Sequence, residues 1–327
     1  MPTLDTGVKD EAPTIVVALG GNALLPAGER GEIQQQFAHT RESLTALVAL
    51  ARDGWNIAVV HGNGPQVGDG LLRNELARDR IPPLPLGVLV AATAGWIGYM
   101  IQQSLRNALD RAGVHRDVAT LITQVLVDPH DPATHEPVKP IGRRMREEDA
   151  RKLAEQSAWS IAESGDGWRR IVPSPIPIEI VERAQVQRLV ASGTIVIAAG
   201  GGGTPVYRDP RLGLEGVNAV IDKDRAAEVL ARGIGARTLL ILTNVEGVFQ
   251  DFGTPAQRLL RRLTPDEAET LLRSDALGRG SMAPKLEAAL HFVRGGGRRA
   301  HIAALKEGLD AVQDRAGTTI VAGDEAV

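Results

Sequence analysis

The chain has 327 residues, a net charge of −3 and 43% hydrophobic residues, which excludes the strongly basic surface that nucleic-acid binding requires. It has no cysteine, which excludes disulfides, thiolate metal sites and cysteine nucleophiles. Residues 1–12 are polar and acidic, whereas a signal peptide needs an apolar core there. We therefore expect a cytoplasmic protein that binds small molecules, with no nucleic-acid partner and no membrane association.

The first part of the chain alternates between short apolar runs and longer amphipathic segments. We expect residues 1–13 to form a disordered tail. After it, apolar positions recur with the periods of strands and helices. The predicted strands are residues 14–19, 57–60 and 118–127, and the predicted helices are residues 33–51, 67–78 and 88–112. This order predicts an α/β fold with a largely parallel sheet and helices on both faces.

The alternation breaks over residues 128–146, which carry four prolines among charged residues. We predict a small protruding subdomain that extends from residue 128 to about residue 170. Helical periodicity returns at residues 147–163 and again at residues 178–192, with a proline-stiffened segment between them.

The second half repeats the strand and helix alternation. The predicted strands are residues 194–199, 238–242, 300–305 and 318–321, the helices are residues 223–232 and 284–293, and a hairpin lies around residues 245–252. Another helix starts at Thr264-Pro265-Asp266-Glu267, which combines an N-cap threonine, a first-turn proline and an acid three residues on. We predict an N-terminal lobe at residues 14–214 and a C-terminal lobe at residues 215–327.

Four of the predicted strands run directly into glycine or small polar turn residues. These turns are Gly20-Gly21-Asn22, Gly62-Asn63-Gly64, Gly200-Gly201-Gly202-Gly203 and Thr243-Asn244. Glycine lets backbone N–H groups approach a ligand closely, and the N-terminus of the following helix adds positive potential. Four such turns at one end of a parallel sheet predict an anion-binding crevice suited to a transferring phosphoryl group.

Known short motifs for phosphate or nucleotide chemistry do not match these turns. The sequence lacks G-x-x-x-x-G-K-[ST], G-x-G-x-x-G and G-x-S-x-G. These absences exclude a phosphate-loop enzyme, a dinucleotide-binding enzyme and a serine hydrolase with that elbow.

Lysine is scarce in this chain, with six lysines against thirty-one arginines. Lysine offers a compact, mobile charge that can follow a phosphoryl group, whereas arginine has a fixed planar fork. Lys139, Lys223 and Lys285 each lie beside a loop element, and Lys223 is bracketed by Asp222 and Asp224. They are therefore candidates for phosphoryl binding, although solvated surface charges remain the alternative.

An ordered set of motifs along residues 14–322 resembles the carbamate kinases of the amino acid kinase family. The segments that carry the resemblance are Gly20-Gly21-Asn22-Ala23, His61-Gly62-Asn63-Gly64-Pro65-Gln66-Val67-Gly68, Ile97-Gly98-Tyr99, Lys139-Pro140-Ile141-Gly142, Val172-Pro173-Ser174-Pro175, Gly200-Gly201-Gly202-Gly203, Ile221-Asp222-Lys223-Asp224 and Gly280-Ser281-Met282-Ala283-Pro284-Lys285.

This resemblance implies a three-layer α/β/α sandwich with an acceptor-binding N-terminal lobe and a nucleotide-binding C-terminal lobe. It also implies a homodimer and reversible phosphoryl transfer between ATP and carbamate. Mg²⁺ would be bound through the nucleotide phosphates, so we assign no protein metal ligand.

The resemblance also implies roles for individual residues, which we state as expectations. The catalytic candidates are Asn22, Lys139, Lys223, Asp224 and Lys285. The substrate-binding candidates are Gly20, Gly21, Gly62, Asn63, Gly64, Gly200, Gly201 and Gly202. The nucleotide-binding candidates are Lys223, Thr243, Asn244, Ser281, Met282 and Lys285.

Four positions near the expected acceptor side depart from the family pattern, namely Arg143, Arg144, Ala94 and Trp96. Arg143 and Arg144 stand where Pro-Phe is usual, and Ala94 and Trp96 replace Gln and Ser. These departures leave two alternatives open. One is a family enzyme with another small acyl or phosphonate acceptor, and the other is an inactive nucleotide-binding regulator.

Overall fold

A central eight-stranded sheet organises the molecule. The computed structural model describes residues 12–20, 24–25, 31–157, 159–274, 277 and 282–322. The strands of the described part are β1 (Thr14–Leu19), β2 (Asn56–His61), β3 (Val118–Thr120), β4 (Gln124–Val127), β5 (Lys139–Met145), β6 (Ile161–Ser164), β7 (Gly167–Val172), β8 (Pro177–Ile180), β9 (Ile195–Ile197), β10 (Thr204–Asp209), β11 (Gly213–Gly216), β12 (Thr238–Thr243), β13 (Phe249–Gln250), β14 (Arg258–Leu259), β15 (Arg262–Leu263), β16 (Arg299–Ala304) and β17 (Thr318–Val321).

The order of the central sheet is β15-β17-β16-β12-β1-β2-β9-β3. Neighbouring strands in this sheet pair in parallel, except that β16 and β17 pair antiparallel. The carboxyl ends of β1, β2, β9 and β12 therefore meet at one edge, where parallel sheets place their ligands.

Helices cover both faces of the sheet. They are α1 (Ile33–Ser43), α2 (Thr45–Arg52), α3 (Gly64–Ala77), α4 (Leu86–Arg111), α5 (Glu147–Ser157), α6 (Arg183–Ala191), α7 (Lys223–Gly233), α8 (Pro265–Arg273), α9 (Met282–Arg294) and α10 (Gly308–Val312). Along β1, Val16 and Ala18 face a core shared with α6 to α9, whereas Ile15, Val17 and Leu19 face a core shared with α2, α4 and α10. Successive side chains of β1 point to opposite faces of the sheet, and because a core covers each face, both sets are apolar. This arrangement confirms the predicted α/β/α sandwich.

Besides the antiparallel pair β13-β14, the described residues form two smaller sheets beside the central one. The first has the order β11-β10-β4-β8, and the second has the order β5-β7-β6 and packs with α5. The second small sheet and α5 lie between residues 139 and 172, in the part of the chain where the subdomain is predicted, and the subdomain itself stays a prediction. The lobe boundaries at residues 214 and 215 stay a prediction. No helix of the described residues is long and apolar enough to cross a membrane.

The prediction of one strand over residues 118–127 was wrong, because β3 and β4 belong to different sheets. The chain turns between them at Thr123, whose hydroxyl accepts a hydrogen bond from the Ala199 N–H and whose carbonyl accepts one from the Thr204 N–H. These two long-range bonds redirect the chain toward β10, and no local pattern signals them.

Three further element predictions need correction. The helix predicted at 33–51 is broken between α1 and α2 at Leu44, and the helix predicted at 147–163 ends at Ser157 before β6. The helix predicted at 178–192 begins only at Arg183, because residues 177–180 pair antiparallel with β4. Tertiary pairing outweighs the local helical pattern there. Residues 128–146, where the alternation of strands and helices breaks, contain β5.

The helix start at Thr264 is as predicted. The Thr264 hydroxyl accepts a hydrogen bond from the Glu267 N–H, and the Glu267 carboxylate accepts one from the Thr264 N–H. The two residues thus form the reciprocal capping box that the tetrad indicates.

Helix α3 and strand β5 touch backbone to backbone at Gly68 and Gly142. A Cβ at Gly68 would lie 2.1 Å from the Gly142 Cα and 2.5 Å from its nitrogen. We expect Gly68→Ala to push β5 away and to lower the free energy of unfolding by about 1–3 kcal/mol, the usual cost of overpacking. Chemical denaturation measures this change in the free energy of unfolding. Gly70→Ala on the same helix is the matched control, because the added Cβ meets only Leu89 at 3.5 Å. Equal stability of the two variants contradicts the tight contact.

Two histidines are fully buried in the core, and burial lowers the pKa of His61 and of His301 from 6.5 to about 4. Below pH 6.5 the unfolded chain therefore binds protons that the folded chain does not. The free energy of unfolding should fall between pH 6.5 and 4, by up to roughly 3 kcal/mol for each histidine. Chemical denaturation at several pH values in this range measures the slope of the free energy of unfolding against pH.

The His301→Gln variant should show a shallower slope than the unmodified protein, whereas His115→Gln, at an exposed position, should not change it. An unchanged slope in His301→Gln contradicts the assignment of this acid sensitivity to buried neutral histidine.

Candidate active site

A cavity of about 190 Å³ lies at the carboxyl edge of the central sheet. Its wall is formed by Gly62, Asn63, Gly64, Pro65, Lys139, Pro140, Gly201, Ile221, Asp222, Lys223, Asp224, Pro284 and Lys285. Eight residues chosen from the sequence thus come together, although they are up to 223 positions apart in the chain. The first turns of α3, α7 and α9 all border the cavity, and helix N-termini favour anions.

Asp224 holds two of the three lysines. Its carboxylate is 2% exposed; one oxygen accepts a hydrogen bond from Lys223 Nζ at 2.6 Å and the other accepts one from Lys285 Nζ at 3.1 Å. Asp224 lies in the first turn of α7 and Lys285 in the first turn of α9, and these helices pack against each other. The packing of α7 on α9 therefore fixes where the lysine charges lie.

Asp222 binds the third lysine, Lys139, and was not among the site residues predicted from the sequence. Its carboxylate caps α7 by accepting hydrogen bonds from the Asp224 and Arg225 N–H groups, and it accepts one from Lys139 Nζ at 2.8 Å. The N-cap pattern was a usable signal for the helix start. The pairing with Lys139 joins β5 to α7 and had no local signal.

The charges in the cavity shift one another's pKa values. Burial disfavours the charged form of Asp222, but Lys139 and Lys223 outweigh this effect and lower its pKa well below its usual range. Burial likewise opposes the charge of Lys223, yet Asp224 and Asp222 raise its pKa. For Lys285, burial and then the nearby Lys223 lower the pKa, and Asp224 only partly offsets them.

The turn after β2 is held by side chains as well as by glycine. Asn63 Nδ2 donates to Thr93 Oγ1 at 2.9 Å, and Thr93 Oγ1 in turn donates to the Val90 carbonyl in α4. A Cβ at Gly201 would lie 2.3 Å from Asn63 Nδ2. The turns after β2 and β9 are thus in direct contact, and only glycine fits at position 201.

The turn at Gly200–Gly202 is shaped by its buried neighbours. Ala199 has a left-handed backbone with φ of 48°, an uncommon and strained state for a residue other than glycine. A Cβ at Gly200 would lie 2.6 Å from His61 Nε2 and 3.0 Å from the Ala94 Cβ. His61 Nδ1 donates to the Gly62 carbonyl. His61 and Ala94 therefore support the turn from beneath.

The remaining candidates lie near this edge without lining the cavity. Gly20 follows β1, Thr243 ends β12 with Asn244 next, and Met282 begins α9 one turn before Lys285. Gly200 and Gly202 are buried in the same turn as Gly201. Three predicted residues, Gly21, Asn22 and Ser281, lie outside the described residues.

Arg143 and Arg144 are engaged in ion pairs with residues outside the cavity wall. Arg143 forms a two-pronged ion pair with Asp69, and Arg144 pairs with Asp166 at 2.6 Å. The two arginines were expected near the acceptor, but neither lines the cavity.

Three lysines and two aspartates give the cavity an excess of one positive charge. Such a site, with helix N-termini around it, can stabilise an anion whose charge spreads over several oxygens. Both carboxylates are engaged by lysine, and within the described residues no cluster of three histidine or acidic side chains is suited to hold a metal ion.

Sequence and structure comparisons agree with this geometry. The family model described as "Amino acid kinase family" matches residues 13–304. A carbamate kinase from Pyrococcus horikoshii is 43% identical over 94% of this chain and 98% of its own length. Two solved structures of carbamate kinase from Giardia lamblia are also similar. The one bound to citric acid has a TM-score of 0.90 and 35% identity, covering 95% of this chain and 99% of the other.

The second structure, bound to AMP-PNP, has a TM-score of 0.86 and 36% identity, with the same coverage of 95% and 99%. The family match covers most of the chain, and the resemblance first seen in the motifs extends to the whole fold. The chain belongs to the amino acid kinase family, and its similar relatives are carbamate kinases.

Proposed function

We propose that this protein is a carbamate kinase, which transfers a phosphoryl group reversibly between ATP and carbamate. The observation that carries this proposal is the cluster of three lysines, held by Asp222 and Asp224 around a cavity of about 190 Å³. That volume and charge suit a small phosphorylated anion such as carbamoyl phosphate.

Phosphoryl transfer needs positioning and charge neutralisation more than covalent help. In the proposed mechanism Lys139 approaches the group from β5 and Lys285 approaches it from α9. Each ammonium offsets negative charge on the equatorial oxygens as they pass from donor to acceptor. The acceptor oxygen of carbamate is already unprotonated, so no general base is required. Asp224 keeps both Lys223 and Lys285 oriented.

The backbone turns supply the remaining contacts. We propose that Gly20, Gly21 and Asn22 donate to the moving phosphoryl group, while Gly62-Asn63-Gly64 and Gly200–Gly202 hold the carbamate end. Lys223 would bind the nucleotide phosphates, with Thr243, Asn244, Ser281 and Met282 along the nucleotide. The lobe at 14–214 would hold the acceptor and the lobe at 215–327 the nucleotide.

We propose that Mg²⁺ enters with the nucleotide phosphates. Both cavity carboxylates are engaged by lysine, which supports this assignment. A homodimer and a cytoplasmic location also remain proposals. Exposed apolar side chains such as Ile122, Ile178 and Leu212 provide surface that a second copy would cover.

The first test is ATP formation from ADP and carbamoyl phosphate in a coupled assay. We expect turnover with carbamoyl phosphate and at least about tenfold lower kcat/KM with acetyl phosphate and other acyl phosphates. Higher kcat/KM with another acyl phosphate contradicts carbamate as the acceptor, and no turnover with any of them contradicts a kinase.

The second test removes single charges. Lys139→Ala and Lys285→Ala should each lower kcat by about 100-fold or more, because each lysine acts chiefly in the transition state. Lys139→Arg and Lys285→Arg should not restore kcat, since the planar guanidinium cannot follow the group. Lys152→Ala, an exposed lysine on α5, is the matched control. Equal kcat values for Lys152→Ala and the two site variants contradict the proposed roles.

A further inference from the structure

A second cavity, of about 520 Å³, lies between α1, α3, α4 and β5. None of its lining residues lines the 190 Å³ cavity. Its volume is in the range of small-molecule sites, which hold an apolar body and fix it with a few polar groups. The proposed phosphoryl transfer makes no use of it.

Aromatic rings form one part of the cavity wall. Phe37 of α1 and Tyr99 of α4 meet edge to face with centroids 6.3 Å apart, and Trp96 lies one turn before Tyr99. Only 3% of the chain is Phe, Trp or Tyr, so three such residues on one cavity are a marked concentration. They offer flat apolar surface to a planar ligand.

Two guanidinium groups give the cavity a net positive charge. Arg143 uses Nε and Nη2 to bind Asp69, at 2.9 and 2.8 Å, which leaves its Nη1 edge available. Arg73 lines the same cavity and forms no ion pair with any residue in the described ranges. One acid against two arginines favours an anionic ligand, and a guanidinium edge binds carboxylate in particular.

Gln66 adds an unmet hydrogen-bond acceptor. It lines the cavity, is 3% exposed and donates from Nε2 to Gln36 Oε1 at 3.0 Å. The Gln36 amide is itself fixed, because its Nε2 donates to the Gly31 carbonyl. The orientation of the Gln66 amide is thereby set, and its Oε1 has no donor within the described part of the chain. A buried acceptor without a donor is costly.

We infer that this cavity binds a small organic carboxylate with a planar apolar body and an N–H donor. The body packs on Phe37, Trp96 and Tyr99, the carboxylate pairs with Arg73 and Arg143, and the N–H donates to Gln66 Oε1. Because α3 and β5 also carry Gly64 and Lys139 to the other cavity, the two sites share two structural elements. The inference goes beyond the proposed function and does not depend on it.

Indole-3-carboxylate has all three features and is the probe. Two matched compounds each lack one of these features: benzothiophene-3-carboxylate has no N–H donor, and indole has no carboxylate. By isothermal titration calorimetry we expect the probe to bind the full chain at one site with a Kd below about 1 mM, and both matched compounds to bind at least about tenfold more weakly.

Variants locate the binding. Arg73→Gln and Gln66→Met should each raise the Kd of the probe by about tenfold or more. Arg52→Gln, which changes an exposed arginine on α2, should leave the Kd unchanged. Arg73 is exposed, so Arg73→Gln remains informative even if Gln66→Met does not fold. No binding of the probe, or the same Kd in Arg73→Gln and Arg52→Gln, overturns the inference.

Competition separates this site from the proposed active site. The probe should bind equally well with saturating AMP-PNP and carbamoyl phosphate present. Displacement by either compound would place the probe in the 190 Å³ cavity and overturn the inference. If the protein shows no kinase activity and the probe still binds, the proposed function fails while this inference stands.

Discussion

The buried carboxylate of Asp224 is the interaction on which the site depends. Two ammonium groups lie in a part of the protein from which water is largely excluded, and isolated charges there are costly. Asp224 offsets both, one on each oxygen. Removing one partner of such a buried pair costs about 3–5 kcal/mol, because the remaining charge is uncompensated. The position of this carboxylate therefore decides where the positive charge of the cavity lies.

The fold holds that carboxylate in place through packing at the edge of the sheet. Asp224 lies at the start of α7, whose next turns bury Ala226, Ala227 and Leu230 in the core. Lys285 reaches Asp224 from α9 across 61 positions of sequence, because the two helices pack side by side. Lys139 joins from a separate small sheet through Asp222. Two independently positioned elements, α9 and β5, thus converge on two acids at the start of α7.

Much of this arrangement follows from local sequence patterns. Strand β1, with an apolar run that ends in glycine, and helix α8, with its capping box, were predicted because their signals lie within a few residues. The scarcity of lysine pointed to Lys139, Lys223 and Lys285 before any contact was known. The predicted parallel sheet indicated that the loops near these lysines lie at one edge, because parallel strands place their following loops together.

The parts that sequence reasoning missed depend on distant partners. Thr123 separates β3 from β4 through bonds to Ala199 and Thr204, and residues 177–180 form a strand because β4 lies beside them. Asp222 was interpreted only as a neighbour of Lys223, since its pairing with Lys139 requires the small sheet to fold over α7.

The role of Asp224 in keeping the cavity lysines charged is measured most directly by the alkaline limb of the kcat–pH profile for ATP formation. The profile is recorded for the unmodified protein and for Asp224→Asn. Burial and Lys223 lower the pKa of Lys285 below 10.5 and Asp224 partly offsets them, so the limb should lie below pH 10.5 and move to lower pH in Asp224→Asn. A limb at the same pH in both proteins would contradict the claim that Asp224 maintains the lysine charges.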